Sequence, residues 1–158
     1  MLFRSPARQD LQEPIQEILQ ATQPQCTEKN INLKVSLPVG PVFCRVDRPT
    51  FMVALRNLLS NAIKFTDAGG NIALELTTTQ NKIELAVLVS GIGITKEELI
   101  KIFEPFYQVE GVMTRRYRGA GLGLALAKEV ITQHGGTLEV GSNLERGSRF
   151  TISLPSLE

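Results

Sequence analysis

Tryptophan is absent from the 158 residues, histidine occurs once and cysteine twice. Cys26 and Cys44 are too few and too ordinarily placed for a disulfide framework or a metal cluster. They fit a cytosolic domain with reduced thiols. No apolar run approaches the length of a membrane span, and no secretion signal is visible. An anchor elsewhere in a longer parent chain is compatible with this. Neither charge sign dominates: 17 basic residues stand against 16 acidic ones, for a net +1. No global field points to nucleic acid or to a lipid surface. No repeat, nucleophile–base pair, zinc spacing or pair of catalytic carboxylates is visible. The lone His134 precedes Gly135-Gly136 at the end of a helical stretch, where the helix dipole favours a cation.

What is present is ordinary for a globular domain: 42% hydrophobic and 21% charged residues, enough for one core. Residues 1–9 lack periodicity and read as a linker or an edge segment, so the domain is taken as 10–158. Leu11, Ile15, Ile18 and Leu19 predict an amphipathic helix from Asp10 to Thr22, with Pro14 tolerated in its first turn. Ile31 to Leu37 alternates as a half-buried strand, and Val42 to Val46 is a short second one. Asp47 is a good N-cap, with Pro49 in the first turn of the next helix. Asp67-Ala68-Gly69-Gly70 ends that helix. Asn71–Thr79 and Lys82–Val89 read as a strand pair closed by Gln80-Asn81, the second of them central because it is nearly apolar after Leu85. Thr95 and Glu98 form a capping box for a short helix to Phe103. A helix follows from about Leu122 to His134, and then two strands, Thr137–Gly141 and Ser148–Leu154. The order predicts an α+β fold: a two-layer α/β sandwich, a mixed sheet with helices on one face.

The stretch Asn57 to Thr66, N-L-L-S-N-A-I-K-F-T, carries the first chemical signal. On a helix, Asn57, Asn61 and Lys64 share one face, while Phe51, Leu55, Leu58 and Ala62 repeat on another that suits burial. Amide oxygens are hard neutral ligands for a divalent metal, and an ammonium is a point charge for phosphate. A solvated polar face would show the same residues.

Two glycine clusters supply the second signal. Ser90-Gly91-Ile92-Gly93-Ile94 follows a strand. Gly119-Ala120-Gly121-Leu122-Gly123-Leu124 leads directly into a helix. Glycines let backbone N–H groups approach a phosphate, and a helix start adds positive potential. The second cluster is neither a dinucleotide fingerprint nor a Walker loop: its spacing is wrong and no Lys-Ser/Thr follows. Arg115, Arg116 and Arg118 precede it and could clamp a triphosphate, although a solvated basic loop would look alike. Phe103, Phe106 and Tyr107 suit hydrophobic anchors for a mobile lid or ordinary core packing.

In this order the blocks resemble the catalytic, ATP-binding domain of sensor histidine kinases, whose Bergerat-type fold is shared with gyrase, Hsp90 and MutL. Asn57–Thr66 resembles the N box of that family, and Ser90–Ile94 the end of its first glycine box. Phe103–Gln108 resembles the F box, and Gly119–Leu124 the second glycine box. Gly147-Ser148-Arg149-Phe150 and Leu154-Pro155 match its closing strand. The resemblance implies ATP and Mg²⁺ as cofactors. It implies that Asn61 coordinates the metal with Asn57 nearby, and that Lys64 meets phosphate. Gly91 and Gly93 would shape the adenine end. Gly119, Gly121 and Gly123 would hinge the lid and, with Leu122, bring backbone donors to the phosphates. Arg116 is the lid arginine implied, and Ser148 is counted with the nucleotide-binding group. The implied partners are a histidine-bearing dimerisation domain, which receives the γ-phosphoryl group, and a response regulator. Nucleic acid and direct membrane contact are not expected. A serine-kinase anti-sigma relative of the same fold fits the F box and the G-L-G-L helix less well.

Two positions depart from the family pattern. The first glycine box normally reads D-x-G-x-G, and its Asp accepts a hydrogen bond from the adenine amine; here the position is Val89. One turn before Asn57 the family carries a polar residue, where this chain has Val53. The resemblance therefore implies weakened nucleotide affinity, with a pseudokinase that signals through partners as the alternative. The accepting histidine is not among the residues before Asp10, which implies a fragment of a larger kinase or a domain acting in trans.

Overall fold

The structure, a computed structural model, describes residues 6–90, 120–143 and 147–157. The short helix expected after Thr95, the F-box residues and the arginine cluster lie outside the described residues.

The central sheet has five strands in the order β2-β4-β5-β7-β6: β2 (Asn32–Ser36), β4 (Asn71–Thr78), β5 (Lys82–Val89), β7 (Gly147–Pro155) and β6 (Thr137–Asn143). β2 runs parallel to β4, and every other neighbouring pair is antiparallel. This is the mixed sheet expected, with helices on one face. β5 is central, and its long apolar run follows from burial on both sides: Ala86 is as hidden as Leu85 and Val87. The register aligns Leu76, Leu85, Ile152 and Leu138 across the face that packs on the helices, with Leu74, Val87, Phe150 and Val140 in the next row.

Among the described residues three helices cover that face: α1 (Gln12–Lys29), α2 (Arg48–Phe65) and α3 (Ala120–Gln133). α2 begins as its sequence predicts. Asp47 caps it, its carboxylate accepting from the Thr50 hydroxyl at 2.7 Å and the Thr50 N–H at 3.4 Å. Phe51, Leu55, Leu58 and Ala62 are buried, as their spacing requires. α1 is longer than expected. It runs past Thr22 and through Pro24 to Lys29. A helix-interior proline costs about 3 kcal/mol, but the buried stripe Ile15, Ile18, Thr22 and Cys26 continues beyond it. Asn30, in the left-handed region, then closes the helix by donating its N–H to the Thr27 carbonyl at 3.1 Å.

Two strands differ from expectation. β2 alternates as predicted, yet it is an edge strand and mostly exposed, with only Leu33 half-buried. Residues 7–9, expected as a linker, form with Asp10 a strand, β1 (Ala7–Asp10), that pairs with β3 (Phe43–Val46) in a separate two-stranded sheet. Nothing apolar in Ala7–Asp10 signals this; its order comes from the pairing and from the Arg8 guanidinium 3.7 Å over the Phe43 ring. On its other side β3 meets the end of the chain, where the Leu157 N–H donates to the Phe43 carbonyl at 3.4 Å.

Candidate functional site

Asn57, Asn61 and Lys64 lie on one stripe of α2, as the helical spacing requires. Val53 heads the same stripe one turn earlier. Asn57, Lys64 and Val53 are half-buried, but Asn61 is only 3% exposed. Its Nδ2 has no hydrogen-bond partner among the described residues. A buried amide left unpaired costs about 1–3 kcal/mol. A solvated face would not carry this cost, so that reading of the stripe falls at Asn61.

The relation between α2 and α3 sets what the stripe faces. The Asp47 N–H, at the start of α2, donates to Nε2 of His134, just past the end of α3, at 2.9 Å. The two helices pack extensively, so they run antiparallel. Counted back from His134, Gly121 lies roughly 20 Å along α3, and Asn61 lies roughly as far along α2 from Asp47. The glycine-rich start of α3, with Gly121, Leu122 and Gly123, is therefore level with the amide stripe.

The end of β5 reaches the same corner. Gly70 stands between Thr66, which caps α2, and Ser90, which follows β5. A β-carbon on Gly70 would fall 2.5 Å from the Thr66 Cγ2 and 3.1 Å from the Ser90 Oγ. Ser90 is held there by its Oγ, which accepts the Asn71 N–H at 2.7 Å. Val89, one residue earlier, is 5% exposed and pairs with Ile72 on one side and Ser148 on the other. Val89 and Ser148 thus share one row across the sheet, at the end of β5 that leads into Ser90.

The described part of the site thus gathers Asn57, Asn61, Lys64, the start of α3, Val89 and Ser148 at one end of the sandwich. Gly91, Gly93, Arg116 and Gly119 lie outside the described residues. The donor set fits a phosphate–metal pair: a buried carboxamide offers a neutral oxygen, Lys64 a cation, and a helix start backbone N–H groups. A groove of about 270 Å³ between α1 and α2, lined by Ile18, Thr22, Met52 and Arg56, opens on a different face of α2 and shares none of these residues.

His134 has a role beyond the one its position suggested. A backbone N–H only donates, so Nε2 accepts from Asp47, and Nδ1 then donates to the Val130 carbonyl at 2.8 Å. The bond to Val130 keeps the ring on a last-turn carbonyl of α3, as its position suggested, and the bond to Asp47 adds a contact that its position does not suggest. Asp47 and His134 are 87 positions apart, and no local pattern links them. Among the described residues there is no cluster of three metal-ligating His, Cys, Asp or Glu side chains. No described helix is long and apolar enough to cross a membrane.

The family model described as histidine kinase-, DNA gyrase B-, and HSP90-like ATPase matches residues 46–158. Sensor histidine kinase WalK of Bacillus subtilis is 32% identical over 83% of this chain and 22% of its own length. The nucleotide-free catalytic domain of histidine kinase ThkA superposes with a TM-score of 0.84 at 27% identity, covering 96% of this chain and 98% of that one. ThkA in complex with the response regulator protein TrrA gives 0.80 at 27% identity, over 95% of this chain and 41% of that one. The chain spans between 9% and 28% of the length of the curated relatives compared.

Proposed function

The chain belongs to the family of histidine kinase-, DNA gyrase B- and HSP90-like ATPases, and on that premise we propose that it is the ATP-binding catalytic domain of a two-component sensor histidine kinase. It donates the γ-phosphoryl group of ATP to a histidine on a separate dimerisation domain, from which a response regulator is served. The observation that carries this reading is the buried side chain of Asn61, level with a glycine-rich helix start, whose Nδ2 has no partner among the described residues and is a donor that a phosphate oxygen can meet. A polar group sealed away without a partner is explained by a ligand that supplies one.

Asn61 would hold Mg²⁺, with Asn57 beside it on the same stripe. Held there through the carboxamide oxygen, the metal would supply positive charge against the phosphates. Lys64 adds a cation one turn further on. Gly121, Leu122 and Gly123 offer backbone N–H groups from the first turn of α3, where the helix dipole favours an anion. Gly119 would hinge the lid and Arg116 would close it on the triphosphate, while Gly91 and Gly93 shape the base end. Ser148 lies beside Val89, next to that end. Positioning and charge neutralisation are the work such residues do in phosphoryl transfer. The domain acts on the cytoplasmic side, where ATP is available.

Affinity is weakened. Val89 cannot accept a hydrogen bond from the adenine amine, and a bond to a charged group is worth about 1.5–3 kcal/mol. The loss is roughly ten- to a hundredfold in affinity. Val53 shortens the polar stripe on α2 by one turn. These two apolar positions favour a second reading, a pseudokinase that keeps the fold and signals through partners.

Calorimetric titration with ATP, with and without Mg²⁺, tests the proposal. Mg²⁺-dependent binding weaker than is usual for the family supports it. No binding at millimolar ATP selects the pseudokinase.

A further inference from the structure

We propose that His134 is a positioning residue for the nucleotide site, acting from the opposite end of the two helices that build it. The inference rests on the site assignment above. The ring makes two directional bonds among those to described residues. Nδ1 donates to the Val130 carbonyl in its own helix at 2.8 Å, and Nε2 accepts the Asp47 N–H at 2.9 Å. Asp47 is bound into α2 through its side chain, which caps that helix, so its N–H is a rigid handle on the start of α2. The imidazole therefore pins the end of α3 to the beginning of α2.

Elsewhere the two helices contribute to one apolar core that includes Phe51, Leu55, Leu58, Leu124, Val130 and Ile131. The force behind apolar burial is non-directional. A hydrogen bond with fixed donor and acceptor adds a directional constraint at one point. Asn61 and the start of α3 lie roughly 20 Å from the pin. Over that lever arm a tilt of about 5° displaces one group from the other by more than 1 Å, a misplacement large enough to weaken a phosphate site strongly. Histidine meets both demands because one neutral ring is at once donor and acceptor. Glutamine retains that pairing, and leucine loses both halves.

The test compares wild type, His134→Leu and His134→Gln by hydrogen exchange without nucleotide, followed at residues 57–64 and 124–128, the first amides of α3 that are paired within the helix. His134→Leu is expected to speed exchange there by about tenfold while the β4–β5–β7 amides stay protected, and His134→Gln to return it to near the wild-type rate. In the same proteins, His134→Leu should weaken Mg²⁺–ATP binding by about fivefold or more, with most of the affinity regained in His134→Gln. Unchanged exchange at the far ends in His134→Leu, or a glutamine variant that behaves like leucine, overturns the proposal. Should His134→Leu not fold, the wild type decides. Its single imidazole and the Asp47 amide are expected to shift in NMR spectra as Mg²⁺–ATP saturates the site, and static resonances overturn the proposal. A wild type that binds no nucleotide removes the function proposed above, while the exchange comparison still decides the role of His134.

Discussion

Gly147 stands against the backbone of Val89: a β-carbon on Gly147 would lie 2.0 Å from the Val89 carbonyl oxygen. Gly147 also has φ +106°, a conformation that side-chain-bearing residues rarely adopt. The first residue of β7 thereby holds the last residue of β5, and with it the floor of the candidate site.

Gly147→Ala should destabilise the domain by on the order of 3 kcal/mol, because backbone overlap adds to conformational strain. Thermal unfolding would register a fall of roughly 6–12 °C. Gly141→Ala is the control. No atom lies within 4 Å of a β-carbon there, and that variant should stay within about 0.5 kcal/mol of wild type.

Val89→Asp should move stability and binding in opposite directions. The position is 5% exposed, so a carboxylate there is costly in the free protein. Against adenine, the same group gains a partner. Calorimetry is expected to show Mg²⁺–ATP binding tighter by roughly ten- to a hundredfold, alongside a lower unfolding temperature without nucleotide. Unaltered affinity would mean that Val89 does not face the base.

Asn61→Leu separates a ligand-binding amide from a structural one. The Nδ2 of Asn61 is buried without a partner among the described residues, so an apolar residue of similar shape removes an unpaid desolvation cost. The free protein should be as stable as wild type, or more stable by about 1 kcal/mol. Binding of Mg²⁺–ATP should be lost. A large drop in the stability of the free protein would show that the amide serves the fold instead.

The cysteines should be silent in the native state. Burial raises both thiols above their ordinary value, and Cys44 is pushed up to about 11 although a backbone bond at Arg45 lowers it. A thiol-specific reagent at neutral pH should therefore react with both only as fast as the domain opens. The sign of the pH effect follows from the raised value. Above pH 9, unfolded Cys44 loses its proton while the folded form keeps it, so stability falls from about pH 9 towards about 11. Denaturant melts across that range would detect the decline, and Cys44→Ala should reduce it.

The parts written in the sequence are those that local chemistry dictates. Asp47, Pro49 and the spacing of Phe51, Leu55, Leu58 and Ala62 specify α2 from its cap to its buried face, and the stripe of Asn57, Asn61 and Lys64 follows from helical geometry alone. The β4–β5 pair is equally local, because the turn at Gln80-Asn81 joins two apolar runs. β1 was not legible, since Ala7–Asp10 has no apolar alternation and takes its order from a partner far along the chain. The continuation of α1 past Pro24 was hidden for a related reason: burial of Cys26 outweighs a local penalty, and burial depends on what the rest of the chain places there. The same division runs through the site. Residue type and spacing named the amides, the lysine and the glycines. Only the tertiary structure set Asn61 level with Gly121, sealed its amide from water, and joined Asp47 to His134, because those relations rest on the antiparallel packing of two helices that no short stretch of sequence encodes.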